Sequence, residues 1–157
     1  MEEAKANPDE AAPLIARASV IGAYIKRRSN LAIIAHDNAQ IDTEELYFSV
    51  RESLEYLSLA GVTNDLRISG TKLIPAEVLI FSYELFEMVV ESFLGVSASI
   101  MVNLSTVNDF QMSIMTDAQV DPALLQSKSC PGAEVIMKQE NDAAYIAVSY
   151  HEGGERE

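Results

Sequence analysis

The chain has 157 residues, of which 48% are apolar and 22% charged, so it can fill the core of one ordinary domain and is not disordered throughout. Its formal net charge of −13 at pH 7 repels nucleic acid and anionic lipid, so we expect neither nucleic-acid binding nor direct membrane contact. The single cysteine, Cys130, excludes an internal disulfide and a cysteine zinc site. With no secretory signal and no apolar run that could span a bilayer, the expected location is the cytoplasm.

The N-terminal part of the chain is predicted to form a helix from about Pro13. Apolar residues recur at spacings of four, three and four in Leu14, Ala18, Ile21 and Ile25. A basic and polar run over 26–30 follows this stripe, and residues 36–40 are typical of a turn. We therefore divide the chain into a disordered N-terminus 1–12, a helical segment 13–40, a domain 41–151 and an acidic tail 152–157.

Two further helices are predicted from their start and stop signals. Asp42 is suited to cap the first of them, with Glu45 at the capping-box position, and Gly61 supplies the C-terminal stop. Its apolar face consists of Leu46, Val50, Leu54 and Leu57. The second begins at Pro75, whose fixed φ suits a first helical turn, and ends at Gly95.

Alternation of apolar and polar residues predicts the strands. A short strand is expected at 65–69 and a hairpin over 98–114, with its turn at 107–109. A short helical turn from Pro122 to Leu125 precedes a second hairpin over 134–150. Helices that are segregated from a mostly antiparallel sheet predict an α+β fold. It is a two-layer α/β sandwich whose mixed sheet is covered by helices on one face, with an additional N-terminal helix.

This order of elements resembles the ATP-binding domain of bacterial sensor histidine kinases, the Bergerat-type (GHKL) fold shared with gyrase and Hsp90-like ATPases. The resemblance covers roughly residues 42–151. The stretch 21–31 is similar to the connector that precedes this domain in some such kinases. The Glu52-Ser53 pair, in the helix that follows the connector, also resembles these kinases. The resemblance implies that segment 13–40 is a connector or dimerisation helix.

The resemblance also implies where catalytic residues should lie. In the family, one helix carries a Glu-x-x-x-Asn motif, whose Glu positions or activates water and whose Asn coordinates magnesium. Here Glu87 occupies the first position and is the candidate catalytic residue, but Glu91 stands in place of the Asn. A carboxylate can hold magnesium, yet it adds negative charge beside a triphosphate.

The family's adenine and phosphate signatures are changed as well. Its Asp-x-Gly-x-Gly run reads the adenine amino group, whereas Asp117 here is followed by residues 118–120 without a glycine. Its glycine-rich lid cradles phosphates with backbone amides, but Gly132 is the only glycine between the two hairpins. Glu91 and Asp117 are thus the candidate cofactor-binding residues, while the degenerate motifs predict no bound cofactor or metal.

The two histidines of the chain are candidate functional groups. His36 and Asp37 resemble the His-Asp pair of the kinase phosphoacceptor helix, but the turn expected there favours an exposed loop histidine over a phosphoacceptor. His151 with Glu152 could bind a metal weakly, although solvation of the tail is the simpler interpretation.

Three groups of side chains have alternative interpretations. The spacing of Glu84, Glu87 and Glu91 favours a solvated helix face over a cation site. The basic run 26–28 either grips an anion or acidic partner, or stabilises the C-terminal end of the first helix. Ordinary core filling is favoured over a sticky sheet face for the strand methionines, which are Met101, Met112, Met115 and Met137.

We therefore expect a non-catalytic signalling module that acts by protein–protein contact, with another protein or with itself through the N-terminal helix. The alternative is a divergent but active histidine kinase or ATPase fragment that binds Mg-ATP through Glu87, Glu91 and Asp117. A third possibility is the detached C-terminal piece of a longer sensor. The discriminating feature is the cleft between the third helix and the sheet, which is either open or filled by side chains.

Overall fold

The computed structural model describes residues 8–92, 99–117, 119–126, 129–140 and 142–151. Its helices are α1 (Pro8–Asp37), α2 (Thr43–Leu59), α3 (Ala76–Glu91) and α4 (Pro122–Gln126). Its strands are β1 (Gln40–Asp42), β2 (Thr63–Ser69), β3 (Leu73–Pro75), β4 (Ser99–Ser105), β5 (Phe110–Thr116), β6 (Ala133–Glu140) and β7 (Ala143–Tyr150). The predicted helix stop at Gly95, the residue Ala118 and the tail 152–157 lie outside the described residues.

Five strands form the main sheet in the order β2-β4-β5-β7-β6. β2 and β4 are parallel, and the other neighbours are antiparallel, as in the Met101–Met115 pair of the first hairpin. Alternate residues on β4 and β5 are buried, so one sheet face packs against the helices and the other faces solvent. The predicted α+β sandwich with a mixed, mostly antiparallel sheet is confirmed.

The first helix differs from its predicted extent. α1 begins at Pro8, within the segment predicted to be disordered, and continues to Asp37. The placement of 36–40 in a turn is therefore wrong for His36, which lies in the last helical turn. The basic run 26–28 also does not lie at the end of the helix, since α1 continues for nine residues beyond it, and its two arginines bind partners on α2 and α3.

A small second sheet was not predicted. β1 and β3 pair antiparallel, with Ile41 opposite Ile74, directly before α2 and α3 begin. Backbone hydrogen bonds from Thr43 N to Lys72 O and from Ala76 N to Ala39 O continue this pairing. The sheet holds the first turns of the two helices side by side. Three-residue strands are too short to show an alternating pattern.

The caps of α2 match the sequence signals. Asp42 accepts a hydrogen bond from Glu44 N–H at 2.8 Å, as an N-cap does. At the other end Gly61 has φ +87°, Gly61 N–H donates to Ser58 O, and Val62 N–H donates to Leu57 O. This is a Schellman motif, in which a left-handed residue satisfies the last carbonyls of the helix.

Replacing Gly61 should therefore test the cap. We expect Gly61→Ala to lower the free energy of unfolding by about 1 kcal/mol, because a Cβ disfavours the left-handed conformation. Gly61→Asn should lower it less, since Asn tolerates that conformation, and a Cβ at this position would meet no atom within 4 Å. Urea denaturation measures both, and equal stabilities of the two variants would contradict the strain argument.

Candidate functional site

α1 is fixed to the other helices by charged contacts at its middle. The Arg27 guanidinium donates to the Glu52 carboxylate on α2 at 2.5 Å, and Arg28 donates to Glu84 on α3 at 2.9 Å. Both pairs are partly shielded from solvent. The arginines of the basic run therefore serve the packing of α1, and the predicted role at the C-terminal end of the helix is wrong for them.

Glu87 is the most unusual group in the helical layer. Its side chain is 5% exposed, and neither carboxylate oxygen makes a well-formed hydrogen bond among the described residues. Burial, and secondly the nearby Glu91 carboxylate, raise the pKa of Glu87 to about 8. The predicted solvated face is wrong for Glu87, whereas Glu91 one turn later is exposed.

Two more polar groups are buried beside Glu87. The hydroxyl groups of Tyr83 and Ser53 have no well-formed hydrogen bond among the described residues, and both residues are fully buried. Burial raises the pKa of the Tyr83 phenol, and the neighbouring Ser53 hydroxyl acts in the opposite direction. The Tyr83 ring contacts Tyr24 of α1, with 5.2 Å between ring centroids. Glu87 thus sits in a polar cluster between helices, where its neutral form is favoured.

A cleft of about 520 Å³ lies between α3, α4 and β6. Its apolar walls are formed by Phe81 of α3 and by alternate residues of β6. The described residues that line it are Phe81, Pro122, Gln126, Ser129, Cys130, Ala133, Val135, Met137 and Gln139. The cleft between the third helix and the sheet is therefore open, and no described residue of its lining carries a formal charge.

The charges near this cleft lie in an adjoining groove. Glu77, Glu84 and Arg28 line that groove, which shares Phe81 and Cys130 with the cleft. Arg28 is held by Glu84, so the net charge of the three is negative. Burial, followed by the Glu77 and Glu84 carboxylates, raises the pKa of the Cys130 thiol, which keeps that thiol neutral at pH 7.

Asp117 lies in a different place. It follows β5 and accepts a hydrogen bond from Ser99 N–H at 2.8 Å, which ties the start of β4 to the end of β5. It lines an open hollow of about 350 Å³ together with the exposed Met101 and Met115. Neither Glu87 nor Glu91 lines that hollow or the 520 Å³ cleft. The structure thus does not bring the three candidate nucleotide-binding residues into one cavity.

The two histidines lie at exposed ends of elements. The His36 ring is about four-fifths exposed, with Nδ1 3.4 Å from Asp37 Oδ1. His151 Nδ1 lies 3.2 Å from Asp109 Oδ2, and Glu152 is outside the described residues. Among the residues that the structure describes, no group of three His, Cys, Asp or Glu side chains could hold a metal ion. Within the same ranges, no helix has the length and apolar character needed to cross a membrane.

No known protein-family model matches the sequence, and no curated protein is similar enough to match it. The fold does match solved structures. A bacterial phosphotransferase aligns with a TM-score of 0.58 and 14% identity, over 94% of this chain and 79% of that one. The cytoplasmic segment of the histidine kinase QseC aligns with a TM-score of 0.56 and 14% identity, over 89% of this chain and 94% of that one. The histidine kinase domain of the blue-light-activated kinase of Erythrobacter litoralis aligns with a TM-score of 0.56 and 11% identity, over 81% of this chain and 78% of that one.

The chain therefore has the fold of a histidine kinase ATPase domain, as its order of elements indicated. At identities of 11–14% this similarity concerns the fold alone and assigns no activity.

Sequence reasoning missed the cleft lining. The sequence pattern that indicates the lining is the alternation on β6, where Ala133, Val135 and Met137 share one face and Ile136 lies on the other. The predicted solvated face is also wrong for Glu84, whose partner Arg28 is 56 residues away in sequence and is not indicated by any local pattern.

Glu87 should make the stability of the protein depend on pH. Between its ordinary pKa of 4.5 and its native pKa of about 8, the folded state binds more protons, so the stability of the wild type falls as pH rises through that window. Glu87→Gln removes this loss. We expect the variant to exceed the wild type by about 3 kcal/mol more at pH 8 than at pH 5, because most of the difference between the two pKa values is titrated between these pH values and one pKa unit is about 1.4 kcal/mol.

Urea denaturation at the two pH values measures this difference. Glu91→Gln, on the same helix but exposed, is the matched control and should retain most of the pH dependence. Parallel pH profiles for Glu87→Gln and the wild type would show that Glu87 is not a buried neutral acid.

Proposed function

We propose that this protein is a non-catalytic signalling or regulatory module that acts by protein–protein contact and uses a histidine kinase ATPase fold without its chemistry. The observation that carries the proposal is the lining of the 520 Å³ cleft, whose described residues include neither a cation nor a glycine. Nucleotide phosphates are held by cations, backbone amides or a metal ion. The described lining supplies no charged group for that purpose.

The positions of the acidic candidates support the same proposal. Glu87 is enclosed between helices and favours its neutral form, so it is poorly suited to activate water or hold magnesium. Asp117 uses a carboxylate oxygen to bind Ser99 N–H. Glu77, Glu84 and Arg28 together place a net negative charge next to the cleft, which opposes a triphosphate.

The exposed face of α1 supports self-association as the contact. One stripe of α1 points away from the domain and consists of uncharged residues at alternating spacings of three and four, which are Ile15, Ala18, Gly22, Ile25, Ser29 and Ala32. Ile15, Ile25 and the adjacent Ile33 are each more than half exposed. Two copies of a chain with net charge −13 repel each other unless their charged residues stay in water. A dimer in which the two uncharged stripes face each other meets this condition. We assign the stripe to a homodimer in the cytoplasm.

The alternative remains a divergent kinase or ATPase fragment that binds Mg-ATP. The open cleft supports this alternative, because side chains that filled the cleft would exclude a nucleotide.

Thermal unfolding in the presence of Mg-ATP separates the two proposals. We expect millimolar Mg-ATP to leave the Tm unchanged, because only a ligand that binds the folded state stabilises it. Light scattering on the same sample should show a dimer. A rise of several degrees with Mg-ATP would contradict the non-catalytic proposal.

A single charge on the stripe should dissociate the dimer. We expect Ile25→Asp to give a monomer by light scattering, because two like charges would face each other across a desolvated seam. Asn30→Asp adds the same charge at an exposed position of α1 away from the stripe and should leave the dimer intact. If both variants dissociate, general charge repulsion is the cause. If neither variant dissociates, the dimer forms through a different surface.

A further inference from the structure

The open cleft has the size of a small-molecule site. Its volume of about 520 Å³ falls within the roughly 300–1,000 Å³ typical of ligand pockets. Phe81 forms its floor and is only 5% exposed, while Val135 and Met137 form the wall on the β6 side. A cleft with aromatic and aliphatic walls gains free energy by removing apolar ligand surface from water.

Among the residues that the structure describes, the polar groups that line the cleft are neutral hydrogen-bonding groups. Gln126, Ser129 and Gln139 line it. The Gln139 carboxamide is held in place, because its Oε1 accepts from Val120 N–H at 3.0 Å and its Nε2 donates to Gln119 Oε1 at 2.7 Å. A few fixed neutral groups in an apolar cleft set the orientation of a ligand without requiring it to be charged.

The adjoining carboxylates act against anions. Glu84 is paired with Arg28, which leaves Glu77 as the uncompensated charge of the groove that joins the cleft at Phe81 and Cys130. Cys130 Sγ lies 3.8 Å from the Glu77 carbonyl oxygen, so this negative end of the groove is close to the cleft. A phosphate or carboxylate ligand would meet repulsion there, whereas an uncharged ligand would not.

We propose that the cleft between α3, α4 and β6 binds an uncharged, mainly apolar small molecule, with its hydrogen-bonding groups directed to Gln126, Ser129 and Gln139. This inference rests on the proposed non-catalytic function, since a working ATPase would place a nucleotide in its cleft. Its ligand is a regulatory molecule that binds without being converted.

The chain contains its own reporter of occupancy. Cys130 is the single cysteine of the sequence and lines the cleft, so thiol alkylation is read at one position. A ligand in the cleft covers the thiol and slows its alkylation.

The experiment uses N-phenyl-1-naphthylamine, an uncharged fluorophore that brightens in apolar sites, with the full chain. We expect a saturable rise in fluorescence and a several-fold slower alkylation of Cys130 by iodoacetamide when the dye is bound. Val135→Trp fills the cleft and should weaken dye binding roughly tenfold or more. Ile136→Trp places the same ring on the opposite face of β6 and should leave the affinity unchanged.

Circular dichroism melting establishes that each variant is folded, and the alkylation assay on the wild type needs no variant. Dye binding that is lost in Ile136→Trp but kept in Val135→Trp, or that leaves Cys130 equally reactive, would overturn the proposal. Mg-ATP serves as competitor. If it displaces the dye, the cleft is a nucleotide site and the proposed function fails with this inference. If neither compound binds, this inference alone fails.

Discussion

The structure depends on the burial of α3 on almost all sides. The helix lies against α1, α2 and the main sheet, and eleven of its sixteen residues are buried. A helix that is apolar around most of its circumference is stable only inside a core. Each polar side chain of α3 therefore finds a partner, lies at an exposed position or remains buried without a partner.

The three glutamates of α3 show these outcomes. Glu84 reaches Arg28 of α1, Glu91 lies at the exposed end of the helix, and Glu87 is buried without a well-formed hydrogen bond among the described residues. Burying an unpaired carboxyl group is costly, and the native state limits this cost by raising the pKa of Glu87. The residue that matches a catalytic motif by sequence is thus part of the helix packing.

The same packing leaves a cleft on the other side of α3. Phe81 closes its floor, and the inward residues of β6 form its wall. The described residues of its lining are neutral because strand residues that face a core are apolar, while the charged residues of β6, such as Glu134 and Lys138, alternate to the solvent side. A nucleotide site built on this fold would need charges or glycines that the described lining lacks.

Local signals in the sequence determined most of the elements. The cap at Asp42, the stop at Gly61 and the alternation over β4 to β7 are set by neighbouring residues, so they could be predicted with the fold class. The full length of α1 and the small β1–β3 sheet could not, since they depend on partners distant in sequence such as Glu52 and Lys72.

The acidic charge, the single cysteine and the changed motif residues were likewise determined by the sequence alone. Only the tertiary structure decided which side of α3 each glutamate faces, and that the cleft is open with neutral side chains among the described residues that line it. The physical reason is that helical spacing places Glu84, Glu87 and Glu91 near one another on α3 but does not specify what packs against them. The burial and charge state of Glu87 depend on α1 and α2, whose approach no local pattern encodes.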